Sequence, residues 1–192
     1  MSLSKAQGGP MQELSLHILD LAQNAVEAGA QFVGITLSED PARGTLSVAV
    51  SDNGRGMDAK TLARASDRHF STKPHSQGGL GLPLFRLAAE QTGGRMWMAS
   101  APGFGTTVFA TFYTGHPAYR KVGNMTETFV ILMVGHPGLS LSYTRSCGER
   151  SFSLSTDQMR QTLGQVPLSA GPVVKWTAMT IEQQTALLRS EA

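Results

Sequence analysis

The chain has 192 residues, 41% hydrophobic and 16% charged, with a formal net charge of +2. It is too apolar to be disordered or fibrous. Its charge is too balanced for bulk electrostatics to draw it to nucleic acid or a membrane surface, and neither partner is expected. One cysteine, Cys147, excludes an internal disulfide framework and a multi-cysteine metal site and suits a reducing cytoplasm, the expected location. The longest apolar run, residues 129–134, falls far short of the roughly 20 residues of a membrane helix, and the first ten residues lack a signal peptide's apolar centre.

Residues 1–10 read as a flexible start. Residues 11–28 read as a helix, with Leu14, Ile18, Leu21, Ala22 and Ala25 at helical spacing and Gly29 as its stop. Another side carries a polar stripe of His17, Asp20, Asn24 and Glu27. Residues 31–38 and 45–51 alternate as the strands of a hairpin and lead into Asp52-Asn-Gly-Arg-Gly56. A short helix follows over 58–66. Residues 67–81 show no period and carry Pro74 and three glycines, the length and composition of a functional lid. A helix over 82–91 has Pro83 near its start and Gly93-Gly94 beyond its end. Strands over 95–101 and 106–113 flank Pro102-Gly-Phe-Gly105.

Residues 115–123 read as a linker, closing an ATP-binding domain at 11–114, as the resemblance below implies. Residues 124–192 then read as a small C-terminal α+β domain, a candidate docking module. It holds a helix over 126–134, a hairpin of 139–145 with 150–154 around Cys147-Gly148, and a helix capped by Ser155 with Gln158 in the capping-box position. Shorter helical patterns close it over 173–179 and 181–189.

Nine of the 21 glycines lie between Gly54 and Gly105, mostly in patterned groups, which marks backbone that takes positive φ or approaches something closely. Four segments carry chemistry. Asp20-x-x-x-Asn24 puts a carboxylate and an amide one helical turn apart, able to share one magnesium ion or one water; alone, such a stripe also fits a solvated face. Asp52 at a strand end can accept from an exocyclic amine, and Gly54 and Gly56 let backbone approach a flat ring; alone, this also fits a plain turn. Gly78-Gly-Leu-Gly81 opens a helix and offers backbone N–H groups to an anion, without the Walker or Rossmann spacing; alone, it also fits an unliganded loop. Gly103-x-Gly105-Thr-Thr107 turns into a strand and is uninformative by itself.

In this order and spacing, the four segments resemble the N box and three glycine boxes of the ATP-binding superfamily that joins gyrase B, Hsp90, histidine kinases and MutL. Asp52-Asn-Gly-Arg-Gly-Met57 and Gly79-Leu-Gly-Leu-Pro-Leu84 carry most of the likeness, which spans residues 11–113. Residues 70–73 are similar to the phenylalanine-containing lid of histidine kinases. The resemblance implies an α/β two-layer sandwich, a mixed sheet with helices on one face, that binds ATP with Mg²⁺. Asn24 would ligate the metal. Asp52 would bind the adenine amine, with Gly54, Gly56 and Met57 near the ring. Gly79, Leu80 and Gly81, with Leu82 beside them, would meet the phosphates, and Lys73 in the lid would reach them too. Thr106 or Thr107 would sit near the adenine-side water. His69 fits packing or surface rather than catalysis.

Two departures bear on activity. Gln77 stands where histidine kinases usually have the first glycine of the phosphate loop. Position 20 is Asp, where gyrase, Hsp90 and MutL carry a glutamate base and many histidine kinases an asparagine; Asp20 is therefore the candidate catalytic residue, one methylene short of glutamate. No helical hairpin with a phosphoacceptor histidine precedes the first helix, so the expectation is a free-standing ATP-binding module. It resembles the small histidine-kinase-like ATPase proteins found with bacterial redox operons. It would act as ATPase or kinase on a separate protein in signal transduction. A non-catalytic nucleotide sensor and a MutL- or Hsp90-like ATPase gated by homodimerisation remain alternatives.

Overall fold

The computed structural model describes residues 13–65 and 81–190. Helix α1 (Leu14–Glu27) forms where the apolar stripe predicts, and Leu14, Ile18, Leu21, Ala22 and Ala25 are all buried. No side chain caps its start. Instead Ser15 N donates to Val122 O at 2.7 Å and Leu14 N to Lys121 O at 3.4 Å. A segment a hundred residues downstream thus satisfies donors that every helix start leaves open.

Strands β1 (Phe32–Asp40) and β2 (Thr45–Asp52) pair antiparallel, Asp40 opposite Thr45. Their alternation sends Val33, Ile35, Leu37, Leu46, Val48 and Val50 to one buried face. Asp58 caps the short helix α2 (Ala59–Arg64), its side chain accepting from Thr61 N at 2.7 Å. Helix α3 (Gly81–Gln91) is followed by β3 (Arg95–Ala101) and β4 (Gly105–Tyr113), and β4 pairs antiparallel with both β3 and β2.

The expected division at 115–123 does not appear as a break in the fold. Residues 119–123 run along the start of α1, where Lys121 and Val122 accept from its first donors. Helix α4 (Met125–Gly135) packs Phe129, Leu132 and Met133 into the same hydrophobic cluster as α1 and β1. Strand β5 (Ser140–Cys147) pairs parallel with β1, from Phe32–Ser140 to Glu39–Cys147, and β6 (Arg150–Ser155) pairs antiparallel with β5. One six-stranded mixed sheet results, in the order β3-β4-β2-β1-β5-β6, with helices over its buried face. The C-terminal strands cover what would be the open edge of β1, so residues 124–192 complete the sheet rather than standing apart from it.

Helix α5 (Thr156–Leu163) starts at Ser155 as expected, but Ser155 Oγ accepts from Asp157 N, one residue before the capping-box position at Gln158. The two short helical patterns at the C-terminus are one helix, α6 (Gly171–Arg189), because no glycine or proline interrupts the turn around Thr180. Its last turn is held by Arg150, whose guanidinium donates to Leu187 O and Leu188 O at 3.0 and 2.6 Å. Among the described residues, no helix is long and apolar enough to cross a membrane.

Candidate functional site

Asp20, Asn24 and the Asp52–Gly56 turn lie along α1. At its C-terminal end, Ala28 O accepts from Arg55 N at 3.0 Å, which seats the Asp52–Gly56 turn on the helix. Asn53 fastens the turn from the other side, its Oδ1 accepting from Gln31 N and Phe32 N, each at 2.8 Å. Asp52, half-buried at the end of β2, commits Oδ1 to Gly54 N at 2.7 Å, and among the described residues Oδ2 makes no hydrogen bond. Gly56 has φ +65°, and a Cβ there would overlap the Ala101 carbonyl oxygen. Gly105 has φ +79°, and a Cβ there would overlap the Asp52 carbonyl oxygen. Glycine is required at both places, because the turns of β2 and β3–β4 touch backbone to backbone.

Ser100 ties these turns together. Its Oγ accepts from Met57 N at 2.8 Å, donates to Gly105 O at 2.8 Å, and lies 2.9 Å from Thr106 Oγ1. Thr106 shares the sheet face of buried Val108 and Ala110, the face α1 covers, and lies beside Asp52. Thr107 has the opposite parity and pairs with Ser51 and Ala99 on the other face of the sheet, so of the two threonines only Thr106 faces the site.

At the other end of the strip, Asp20 meets the first residue of α3. A Cβ on Gly81 would lie 3.0 Å from Asp20 Oδ2, so the carboxylate sits close against the start of α3. Asn24 sits one turn further along α1, and both side chains are exposed. Leu82 packs half-buried against the core behind them. His17 departs from the polar stripe. It is buried against Phe85, ring centroids 6.2 Å apart, and its burial lowers its pKa despite the nearby Asp20 charge. Lys73, Gly79 and Leu80, together with Gln77, Gly78 and His69, lie outside the described residues.

The strip from Asp20 to Ala28 is about 12 Å along the helix axis at ~1.5 Å per residue. It has a carboxylate oxygen and small turns at one end, and a carboxylate, an amide and a helix start at the other. A hard cation would fit the second end, where Asn24 offers an oxygen ligand beside the Asp20 carboxylate. Among the described residues, no group of three or more His, Cys, Asp or Glu side chains gathers. A cation there would take its remaining ligands from phosphate and water, as Mg²⁺ does. Asn53 and Ser100 were not singled out in the sequence, since short polar residues in turns and strands carry no signal of partners so far away.

Residues 11–115 match the family described as histidine kinase-, DNA gyrase B- and HSP90-like ATPase. The chain is 36% identical over 113 residues to the sensor histidine kinase ZraS of Klebsiella oxytoca, covering 58% of this chain and 24% of the kinase. It is 34% identical over 68 residues to the DNA mismatch repair protein MutL of Rhodospirillum rubrum, covering 35% of this chain and 10% of that protein. The chain thus spans a quarter or less of these relatives. A crystal structure of the N-terminal domain of a DNA repair protein superposes with a TM-score of 0.55 at 16% identity, over 74% of this chain and 52% of that one. That likeness is one of fold.

Proposed function

Because the chain belongs to the histidine kinase-, DNA gyrase B- and HSP90-like ATPase family, we propose that it binds Mg-ATP along α1 and works as a histidine-kinase-like ATPase or kinase on a partner protein in signal transduction. The observation that carries this reading is a carboxylate at each end of one strip along α1: Asp52, at the end of β2 where the turns meet, and Asp20 against the start of α3.

Asp52 Oδ2 accepts from the adenine amine, while Gly54 and Gly56 keep side chains away from the ring and Met57 lies beside it. The phosphates lie at the start of α3, at Gly81; by the family resemblance Gly79 and Leu80 would also supply N–H groups and Lys73 charge. Asp20 would repel a triphosphate there unless a cation lay between them. Asn24 would hold such a cation, and when bound the cation would supply charge neutralisation at the phosphates. Asp20 orients a water, or the acceptor group of a partner, for in-line attack. A carboxylate at this place, rather than an amide, favours turnover over pure sensing.

Replacing Asp20 by Asn separates the two. ATP turnover, measured with and without candidate partner proteins, should fall at least tenfold while binding of a non-hydrolysable ATP analogue stays within a few-fold. Unchanged turnover would remove Asp20 from the chemistry. No turnover in the natural chain with any partner would favour the sensor reading.

A further inference from the structure

We propose that Ser100 is a positioning residue that sets the proton order at the base-binding end of the site, and through Thr106 selects a 6-amino purine over a 6-oxo purine. The inference rests on the nucleotide reading above and adds a residue to it. Ser100 and Thr106 are cross-strand partners on β3 and β4. The antiparallel count from Ser51–Thr107 brings Thr106 beside Asp52. Three polar side chains thus form a row across three strands on the helix-covered face.

A serine hydroxyl has one hydrogen to give and two lone pairs to receive. The Gly105 carbonyl oxygen, 2.8 Å from Ser100 Oγ, can only accept, so it takes the hydrogen. Met57 N, also at 2.8 Å, can only donate, so it fills one lone pair. Thr106 Oγ1, at 2.9 Å, must then donate to the other. With its hydrogen committed to Ser100, Thr106 offers only lone pairs to anything beyond it. Asp52 adds a carboxylate to the row, whose Oδ1 already accepts from Gly54 N and whose Oδ2 is a further acceptor.

The row therefore presents acceptors alone and asks its ligand for donors. An exocyclic amine brings two N–H groups to that place. A 6-oxo group brings an acceptor and leaves it facing acceptors, and a site built to receive an N–H rejects the analogue that lacks it. Without Ser100, the Thr106 hydroxyl is free to turn and donate, and the discrimination weakens.

The test is calorimetric binding of ATP and of ITP, each with Mg²⁺, to the full chain and to S100A, S100T and T106V. The natural chain should prefer ATP. S100A should cut the ATP-to-ITP preference about tenfold, the size of one net hydrogen bond. S100T, which keeps a hydroxyl, should return most of it. S100A in T106V should change the preference no further, since the two act as one unit. An unchanged preference in S100A, with native circular dichroism and melting, overturns the role of Ser100 alone. If S100A does not fold, an unchanged preference in T106V overturns it. A natural chain that binds neither nucleotide overturns the site reading and this inference with it.

Discussion

Asp52 and Asp20 are both acidic, yet their surroundings give them different work. Asp52 has one oxygen tied into its own turn, which fixes the direction of the other. Asp20 is exposed on α1 and faces the first residue of α3, Gly81. Such residues are legible in a sequence because their chemistry stands out at helical or turn spacing. Asn53 and Ser100 are not, because their bonds reach 22 and 43 residues along the chain. The choice between Thr106 and Thr107 waited on the parity of β4, which two adjacent threonines do not reveal. His17 was grouped with the polar stripe, but three residues before Asp20 the helix has turned it inward onto Phe85. Its pKa is lowered by burial from an ordinary value of 6.5. The unfolded chain therefore takes up this proton at a higher pH than the folded one. The stability tied to neutral His17 is complete above about pH 6.5 and is lost as the pH falls below it. Urea unfolding at pH 7 and pH 5 should show a smaller loss of stability for His17→Leu than for the natural chain; an equal loss would mean His17 does not titrate with folding.

At the scale of elements, the site depends on turns that touch one another as well as on the sheet. The turn after β2 is bonded to α1 through Arg55 N and to the β3–β4 turn through Gly103 N, which donates to Arg55 O at 2.8 Å. Glycine patterning revealed these turns because backbone contact leaves no room for Cβ. Gly56→Ala places a side chain in a left-handed conformation and against the Ala101 carbonyl. It should cost about 1–3 kcal/mol for the backbone alone, more with the overlap, and lower the melting temperature in a thermal scan. A melting temperature within 1 °C of the natural chain's (about 0.4 kcal/mol) would show that the two turns can part.

For the whole molecule, the ATPase match ends near residue 115 but the sheet does not. Parallel pairing of β5 with β1 joins segments a hundred residues apart and leaves no local turn signal, so the second half, where the glycine pattern stops, reads as a separate domain. The core shows otherwise: Phe129, Leu141 and Tyr143, all essentially inaccessible, belong to one cluster with Ile18 and Ile35. A chain ending at residue 123 should lose cooperative thermal melting and aggregate through the bared edge of β1. A cooperative melt at the natural temperature would restore the picture of two independent domains. The central claim, that the strip along α1 is a Mg-ATP site, is tested most directly by calorimetry of ATP with and without Mg²⁺ on the natural chain, Asp52→Asn and Asn24→Ala. The account predicts tight binding with Mg²⁺ and about 10- to 100-fold weaker binding for Asp52→Asn, the range for a hydrogen bond to a charged group. For Asn24→Ala it predicts a loss confined to the Mg²⁺-dependent part. Binding to all three proteins with equal affinity would contradict it.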